Sequence, residues 1–489
     1  MSRGEKAAGL VALVLAVLHQ LVLPDSGTDL AAQLARASFA RAAPLTPVDL
    51  SWYGGVHPFG YSLLSPWVMA VLGVALSGIV AAVGGAVLFA RLVKDLERPL
   101  LAGLIGAFFS VADVVSGRTT FALSAVALLA TLLARERKGR RVVLAVLTAL
   151  LSPVGAAFLG FCAGVMVLHR RPGGWSIGVA ATVPVVVLGV LFPGGGVQPY
   201  STDSAVPAVV VALVLALLTA QPVVRTGALL YAVAVVAFLN HADPFGSNVL
   251  RLGLLTASAL VVATVHRHLL LVGLAVVGFL SWQLDPLNGD LGATPGPELA
   301  ALTAELVHLD AKRVEVVAPR EHRESWTVAE RVPLARGWGR QIDYRHNRLF
   351  YEGTLSAGEY VDWLRAHGVD HVAVPKRGTI DFGSTREAAL LKKPVAGLTA
   401  VWQGEDWTVY AVSESPGIAY GADVVRSTRT ELVIRSDHAG DVPLKVRWSP
   451  WLTASGAACV AHAGDESVLR FTGPGEVRVS SSLRPGGHC

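Results

Sequence analysis

From residue 7 to about residue 283 the chain alternates apolar runs with short polar loops, and beyond that point the alternation stops. The runs cover residues 7–23, 66–90, 99–113, 119–134, 175–192, 206–220, 227–240, 250–265 and 269–283. Each predicts a membrane helix, although several fall short of the roughly 20 residues that a perpendicular span requires. Flanking residues must extend those runs, or the bilayer must thin around them. Residues 142–168 are apolar as well, but Ser152–Pro153 interrupts them and a basic loop flanks each end. Two short helices meeting at Ser152–Pro153 would enter and return, with the broken backbone buried among other helices. The pattern predicts an α-helical polytopic membrane domain of about 11 membrane helices over residues 1–283.

The rest of the chain has ordinary polarity. A Pro/Gly-rich linker, residues 284–298, leads into "RVEVVAP" (313–319), which reads as a strand. "SAGEYVDWLRAHG" (356–368) reads as a helix opened by a capping box, Ser356 with Glu359, and closed by Gly368. "VDHVAVP" (369–375) is a second strand, so residues 299–415 form a small α/β domain. From residue 416 the period changes to alternating runs such as "TELVIRS", "PLKVRWS", "SVLRFTG" and "EVRVSSS", the pattern of a β-sandwich module over 416–489.

Composition agrees with a membrane protein. Hydrophobic residues make up 53% and charged residues 16% of the 489 positions, and the mean hydropathy is +0.52. The amino-terminal MSRGEK followed by an apolar run lacks a close small-residue cleavage site and reads as a retained first span. The net charge of +5 does not imply nucleic acid, because the basic residues sit mostly in short loops. Arg91, Lys94, Arg98, the run RERKGRR (135–141), Arg170, Arg171, Arg225 and Arg267 all fall on one side. By the positive-inside rule that side is cytoplasmic. The amino terminus is then cytoplasmic, and the loop 24–65 and everything after residue 284 are extracytoplasmic. Cys162 lies in an apolar run, whereas Cys459 and Cys489 both fall in the outer region, where a disulfide between them is compatible with the compartment.

The first outer loop is long for a helical bundle, and loops of that length are usually functional. It holds Asp25 and Asp29, then "DLAAQLARASFARA", whose Leu30, Leu34 and Phe39 suit an amphipathic helix on the membrane surface. It ends in "DLSWYGGVHPFGYSLLSP" (49–66), whose glycines predict a tight aromatic-rich turn re-entering the bilayer. An acid after the first span, a surface helix and a Tyr/Pro-rich approach to the second span together resemble the C-type membrane glycosyltransferases (the GT-C superfamily). "SGRTTFALS" (116–124) is similar to that family's short Gly-containing second outer loop. "GSNVLRLG" (246–253), "FYEG" and "VRWSPWL" resemble a group of uncharacterised actinobacterial membrane proteins with an extracytoplasmic C-terminal region.

The resemblance implies transfer of a sugar from a polyprenyl-phosphate donor to a glycan or lipid acceptor of the cell envelope, among membrane lipids. It departs from the family where adjacent acids are common, since Asp25 and Asp29 are separated by three residues and the second outer loop offers only Asp113. No cofactor is called for. A divalent metal would be compatible with the family, but no second acidic pair marks a site for one.

A glycosyl acceptor hydroxyl needs a base within hydrogen-bond reach, and acids at a bilayer boundary are default functional candidates. Asp29 is the first choice of base and Asp49 the second. Asp29 can equally serve as the N-cap of the surface helix. Arg118 and Arg251 stand at outer helix ends, where each can hold a phosphate bidentately or simply snorkel to the interface. His241, Asp243 and Asn248 cluster in sequence near Arg251. His57 can orient the acceptor or be structural, and Trp52 and Tyr53 can stack on sugar or anchor at the interface. "PREHRESW" and "RGWGRQIDYRHN" suit carbohydrate contact or packing. No P-loop, GxGxxG after a strand, HExxH or CxxC occurs. The alternative to an enzyme is a non-catalytic membrane scaffold or transporter component. A transporter should show paired broken helices and internal repeats, and the sequence offers one break and no repeat.

Overall fold

The structure, a computed structural model, describes residues 1–23, 26–134, 137–266, 269–291, 296–484 and 486–489. Asp25 and Arg267 lie outside the described residues, as do two positions of the basic run 135–141. The chain forms two compact units, Met1–Gln33 with Gly60–Gly292, and Leu34–Phe59 with Ala293–Cys489. The expected boundary near residue 283 therefore omits a second crossing point. Most of the first long loop is built into the C-terminal unit.

The helices up to Leu291 are α1 (Arg3–Val22), α2 (Leu30–Ala42), α3 (Pro58–Tyr61), α4 (Ser65–Leu72), α5 (Val74–Leu92), α6 (Pro99–Val115), α7 (Thr119–Leu133), α8 (Lys138–Leu151), α9 (Pro153–Leu168), α10 (Gly174–Leu191), α11 (Thr202–Leu218), α12 (Pro222–Leu239), α13 (Leu250–Thr264) and α14 (Leu269–Leu291). Among the described residues, 6 helices are long and apolar enough to cross a membrane: α1, α5, α10, α12, α13 with the 3-10 turn before it, and α14. The apolar helices α6, α7, α9 and α11 are shorter. This is the make-up of a multi-pass membrane domain.

Small side chains let these helices approach closely, as expected where lipid removes the hydrophobic incentive to associate. Ala8, Ala12 and Ala16 of α1 pack with Ala81, Ala82 and Ala86 of α5 in one buried cluster.

Three local features bear on the expectations. First, α8 and α9 meet at Ser152–Pro153 as the sequence suggests. Pro153 cannot donate to the preceding turn, and the carbonyls of Leu150 and Leu151 at the break have partners from another segment. Leu63 and Leu64 N–H donate to Leu150 O at 3.1 and 3.0 Å. The Ser62 and Ser65 hydroxyls donate to Leu151 O at 2.7 and 2.8 Å. Second, the run 66–90 is not one helix. Gly73, at φ 82, separates α4 from α5, a conformation open to glycine at little cost. Third, the linker does not start at residue 284, because α14 continues to Leu291 with Pro286 inside it. Asp290 near its end is buried, and its Oδ1 accepts the Thr28 N–H at 3.3 Å.

The C-terminal unit combines the two expected layers. β1 (Val314–Val316), β2 (His371–Pro375), β3 (Leu398–Gln403) and β4 (Trp407–Val412) form a sheet in the order β1-β2-β4-β3. β1 runs parallel to β2, and the other pairs are antiparallel. The helix Ala357–Ala366 carries the expected capping box of Ser356 and Glu359, and Gly368 follows it at φ 64. β5 (Asp423–Ser427), β6 (Leu432–Ser436), β7 (Gly440–Arg447), β8 (Leu452–Gly456), β9 (Ala458–Ala463), β10 (Glu466–Phe471) and β11 (Gly475–Ser481) form two sheets, β7-β10-β9 and β5-β6-β11-β8. Their inward faces share one apolar core, which Val48 and Leu50 of the first loop join. Cys459 on β9 is bonded to Cys489, with Cα atoms 5.2 Å apart.

The glycines of "DLSWYGGV" do not shape a turn entering a membrane. They shape a hairpin on the C-terminal unit. Asp49 and Val56 exchange backbone hydrogen bonds at 2.8 and 2.9 Å. Tyr53, Gly54 and Gly55 all have positive φ, at 54, 71 and 127°. A Cβ on Gly54 would stand 2.8 Å from Lys445 O, so the turn sits directly on β7, where Arg447 N–H donates to Gly54 O at 2.8 Å.

Candidate functional site

In the helical unit the turn between α6 and α7 meets the chain leaving α1. Gly27 and Gly117 make that approach possible. A Cβ on Gly27 would lie 2.3 Å from Val115 O, and one on Gly117 would lie 2.2 Å from Leu30 N. Both glycines have positive φ, at 101 and 79°. The Asp29 N–H donates to Ser116 O at 3.2 Å, which fixes Asp29 over the turn that carries Arg118.

Arg251 arrives from a different turn. The Asp243 carboxylate accepts the N–H groups of Phe245 and Gly246 at 2.6 and 3.0 Å, and Asn248 Nδ2 donates to Phe245 O at 2.9 Å. These two side chains build the 3-10 turn Gly246–Val249 that opens α13. Their role is to place Arg251, whose guanidinium lies 5.6 Å from the Phe121 ring centroid.

The Asp29 carboxylate stands 3.5 Å from Arg118 Nε and 3.5 Å from Arg251 Nη2. Asp113, buried on the last turn of α6, stands 3.9 Å from Arg118 Nη1. These separations are long for charge-assisted hydrogen bonds, which close at about 2.7–2.9 Å. Accordingly, Arg118 Nε and Asp113 Oδ1 are buried without a hydrogen-bond partner among the described residues. The arginines also stand at the N-termini of α7 and α13, where the orphan N–H groups and the helix dipole favour an anion.

Below the cluster a cleft runs between α6, α13 and α14, with Phe109, Leu254, Leu255 and Leu287 as apolar walls and Gln283 and Pro286 beside them. Gln283 is held by Ser258 and by the carbonyls of Gly253 and Leu254. The cluster offers cationic donors with unused hydrogen-bonding capacity, an acid partly open to solvent, and apolar walls leading away. Such an arrangement can hold a phosphate whose substituent is a hydrocarbon.

Of the residues picked out by sequence, Asp29, Arg118 and Arg251 come together. Asp49, Trp52, Tyr53 and His57 belong to the C-terminal unit. Asp49 accepts from Ser51 N and Ser51 Oγ at 2.9 and 2.6 Å; burial pushes its carboxyl up, and the Ser51 bonds oppose that. Trp52 Nε1 donates to Ser325 O at 2.9 Å and Tyr53 OH to Gly337 O at 2.6 Å. His57 Nε2 pairs with Ser449 Oγ at 2.8 Å. His241 is exposed beyond the end of α12 and does not line the cleft.

Asp113 is the member that sequence reasoning left out of the site. Its signal was present: an ionisable residue in an apolar helix, five positions before an arginine. Among the described residues no group of three or more His, Cys, Asp or Glu side chains is placed to hold a metal ion. No protein-family model matches the chain, and no curated protein matches it at the significance required.

Proposed function

We propose that the protein is a glycosyltransferase that moves a sugar from a polyprenyl-phosphate donor to an extracytoplasmic glycan or glycolipid acceptor of the cell envelope. The observation that carries this reading is the meeting of Asp29, Arg118 and Arg251 at the mouth of an apolar cleft. The arginines bind the donor phosphate and the cleft takes the first part of its hydrocarbon chain. The acceptor hydroxyl gives its proton to Asp29 as its oxygen bonds to the anomeric carbon. The bond from that carbon to the phosphate oxygen breaks, and the lipid phosphate leaves held by the arginines, with inversion at the sugar. Asp113 keeps Arg118 turned toward the site.

The basic-loop pattern sets the orientation in this reading, with the amino terminus cytoplasmic and the C-terminal unit outside. A disulfide in that unit agrees with an oxidising compartment. A reporter that works only outside the cytoplasm, fused after Cys489, is expected to be active. Activity of a cytoplasm-only reporter at the same position overturns the orientation and the outer-face site with it.

The test of the chemistry is transfer by purified protein supplied with polyprenyl-phosphate sugars. Arg251→Ala is expected to raise the KM for the lipid donor at least about tenfold, the scale of a lost charge-assisted hydrogen bond of about 1.5–3 kcal/mol. A scaffold reading has one observation in its favour, because Asp29 and Asp113 together already face the two arginines without a ligand. It predicts no transfer with any donor and no effect of Arg251→Ala on lipid-phosphate binding.

A further inference from the structure

We propose that the C-terminal unit pairs with a second copy of the chain along β3, the two β3 strands running antiparallel across a two-fold axis. The chain protects its other sheet edges. β1 is covered by residues 333–335, with Val314 N–H donating to Pro333 O at 3.0 Å and Ala335 N–H to Val314 O at 2.8 Å. β7 is covered by Tyr420, whose N–H donates to Pro443 O at 2.9 Å, and by the carbonyls of Ile418 and Gly54, which accept from Lys445 and Arg447 at 2.8 Å. The C-terminal residues close β8 and β9. Gly486 bridges Thr453, Val460 N–H donates to Gly487 O at 2.8 Å and Cys489 N–H to Val460 O at 3.1 Å, and the bond from Cys489 to Cys459 pins them there. β5, the last strand of its sheet, carries Asp423 and Arg426, charges of the kind that discourage edge pairing.

β3 has neither kind of protection. It is the last strand of its sheet, and among the described residues no segment pairs with its outer side. Leu398–Gln403 contains no charged residue. Thr399, Ala400, Val401 and Gln403 are exposed, Val401 by 44%. An uncharged edge with a free row of backbone donors and acceptors is a template for another strand. The pairing with β4 has a bulge between Ala400 and Trp402. It shortens the straight run on offer, so the association is weak and concentration-dependent rather than permanent.

The charges at the two ends of β3 select the occupant. Lys392 and Lys393 are exposed just before the strand. Arg365, close to Gly397, is already paired with Glu414 at 3.1 Å, so this end is positive. Glu405 is exposed just after the strand. Asp406 beside it pairs with Arg377 and accepts the Glu298 N–H at 2.7 Å, and Lys376 Nζ donates to Gly404 O at 2.6 Å. Three acids then face two bases, so this end is negative. A two-fold axis perpendicular to the sheet sets two copies of β3 antiparallel. It brings the positive start of each strand against the negative end of the other, twice over. β3 is thus its own complement in hydrogen bonding and in charge, as an isologous contact requires.

The test is sedimentation velocity of the full-length protein in detergent, over a series of protein concentrations at low salt, with the detergent mass subtracted. A reversible monomer–dimer equilibrium is expected, and it should weaken as salt is added. Val401→Lys places like charges across the pairing and is expected to raise the dimer Kd at least about tenfold. Glu405→Lys is expected to weaken the dimer, and so is Lys392→Glu with Lys393→Glu. Combining all three changes restores opposite charges at each end and is expected to recover dimerisation. These side chains are exposed, so folding is not at stake, and the recovery distinguishes lost complementarity from damage. A protein monomeric at every concentration reached overturns the proposal. So does a dimer indifferent to Val401→Lys, which would be held by another surface, or a triple variant no better than its parents. Binding of a strand from a different protein, with this chain alone remaining monomeric, overturns it as well.

Discussion

Asp29→Asn is expected to lower sugar transfer by at least roughly 10²-fold, the usual minimum for losing a general base, while the protein remains folded and inserted. Asparagine keeps the size of the side chain and can still cap α2, so a purely structural role would survive the change. It cannot take the acceptor proton. It also removes the negative charge that faces Arg118 and Arg251 at 3.5 Å. Those arginines then hold the donor phosphate without competition, so the KM for the donor should stay level or fall while kcat collapses. That split separates a base from a residue that merely supports the fold, which would move stability and both constants together. Full activity in Asp29→Asn sinks the assignment of the base. Asp49, whose carboxylate accepts from Ser51, is then the acid to test.

How much of this was legible in the sequence depends on the range of the interactions involved. The break at Ser152–Pro153 follows from one local rule about proline, and the structure has it. Asp29, Arg118 and Arg251 could be grouped because helix ends and loop charges already assign them to one side of a bundle. Asp113 was visible as a buried acid, but its partner lies across a helix end, and only the left-handed Gly117 brings Arg118 back toward it. The opening loop was misread for a different reason. Its glycines answer to Lys445 and Arg447, almost four hundred positions away, and Trp52 lies over Gly337, where a Cβ would come within 2.3 Å of the indole. No local pattern reports a partner at that distance. Aromatics beside glycines look alike whether they pack on lipid or on a β-sheet.

Arg336→Met is expected to cost the C-terminal unit roughly 3–5 kcal/mol, the range for removing one partner of a buried charge network. Arg336 is buried, with 7% of its side chain exposed. It is the common partner of Glu315, Glu387 and Asp343, and its guanidinium lies 3.9 Å from the Phe350 ring centroid. Methionine fills much of the same space and keeps the contact with Phe350, so the loss isolates charge from packing. With the guanidinium gone, the carboxylates must take up protons or leave the interior, because burial already presses Glu315 and Glu387 upward and Arg336 opposes it. For a unit of this size the loss corresponds to a fall of roughly 6–20 °C in its thermal transition. Glu315→Gln added to Arg336→Met removes one of the stranded charges and should recover part of the fall, an interaction that a double-mutant cycle measures directly. A transition within about 2 °C of the unaltered protein, well under the change that such a loss implies, would mean that the carboxylates are neutral in the folded chain and that Arg336 compensates no charge there.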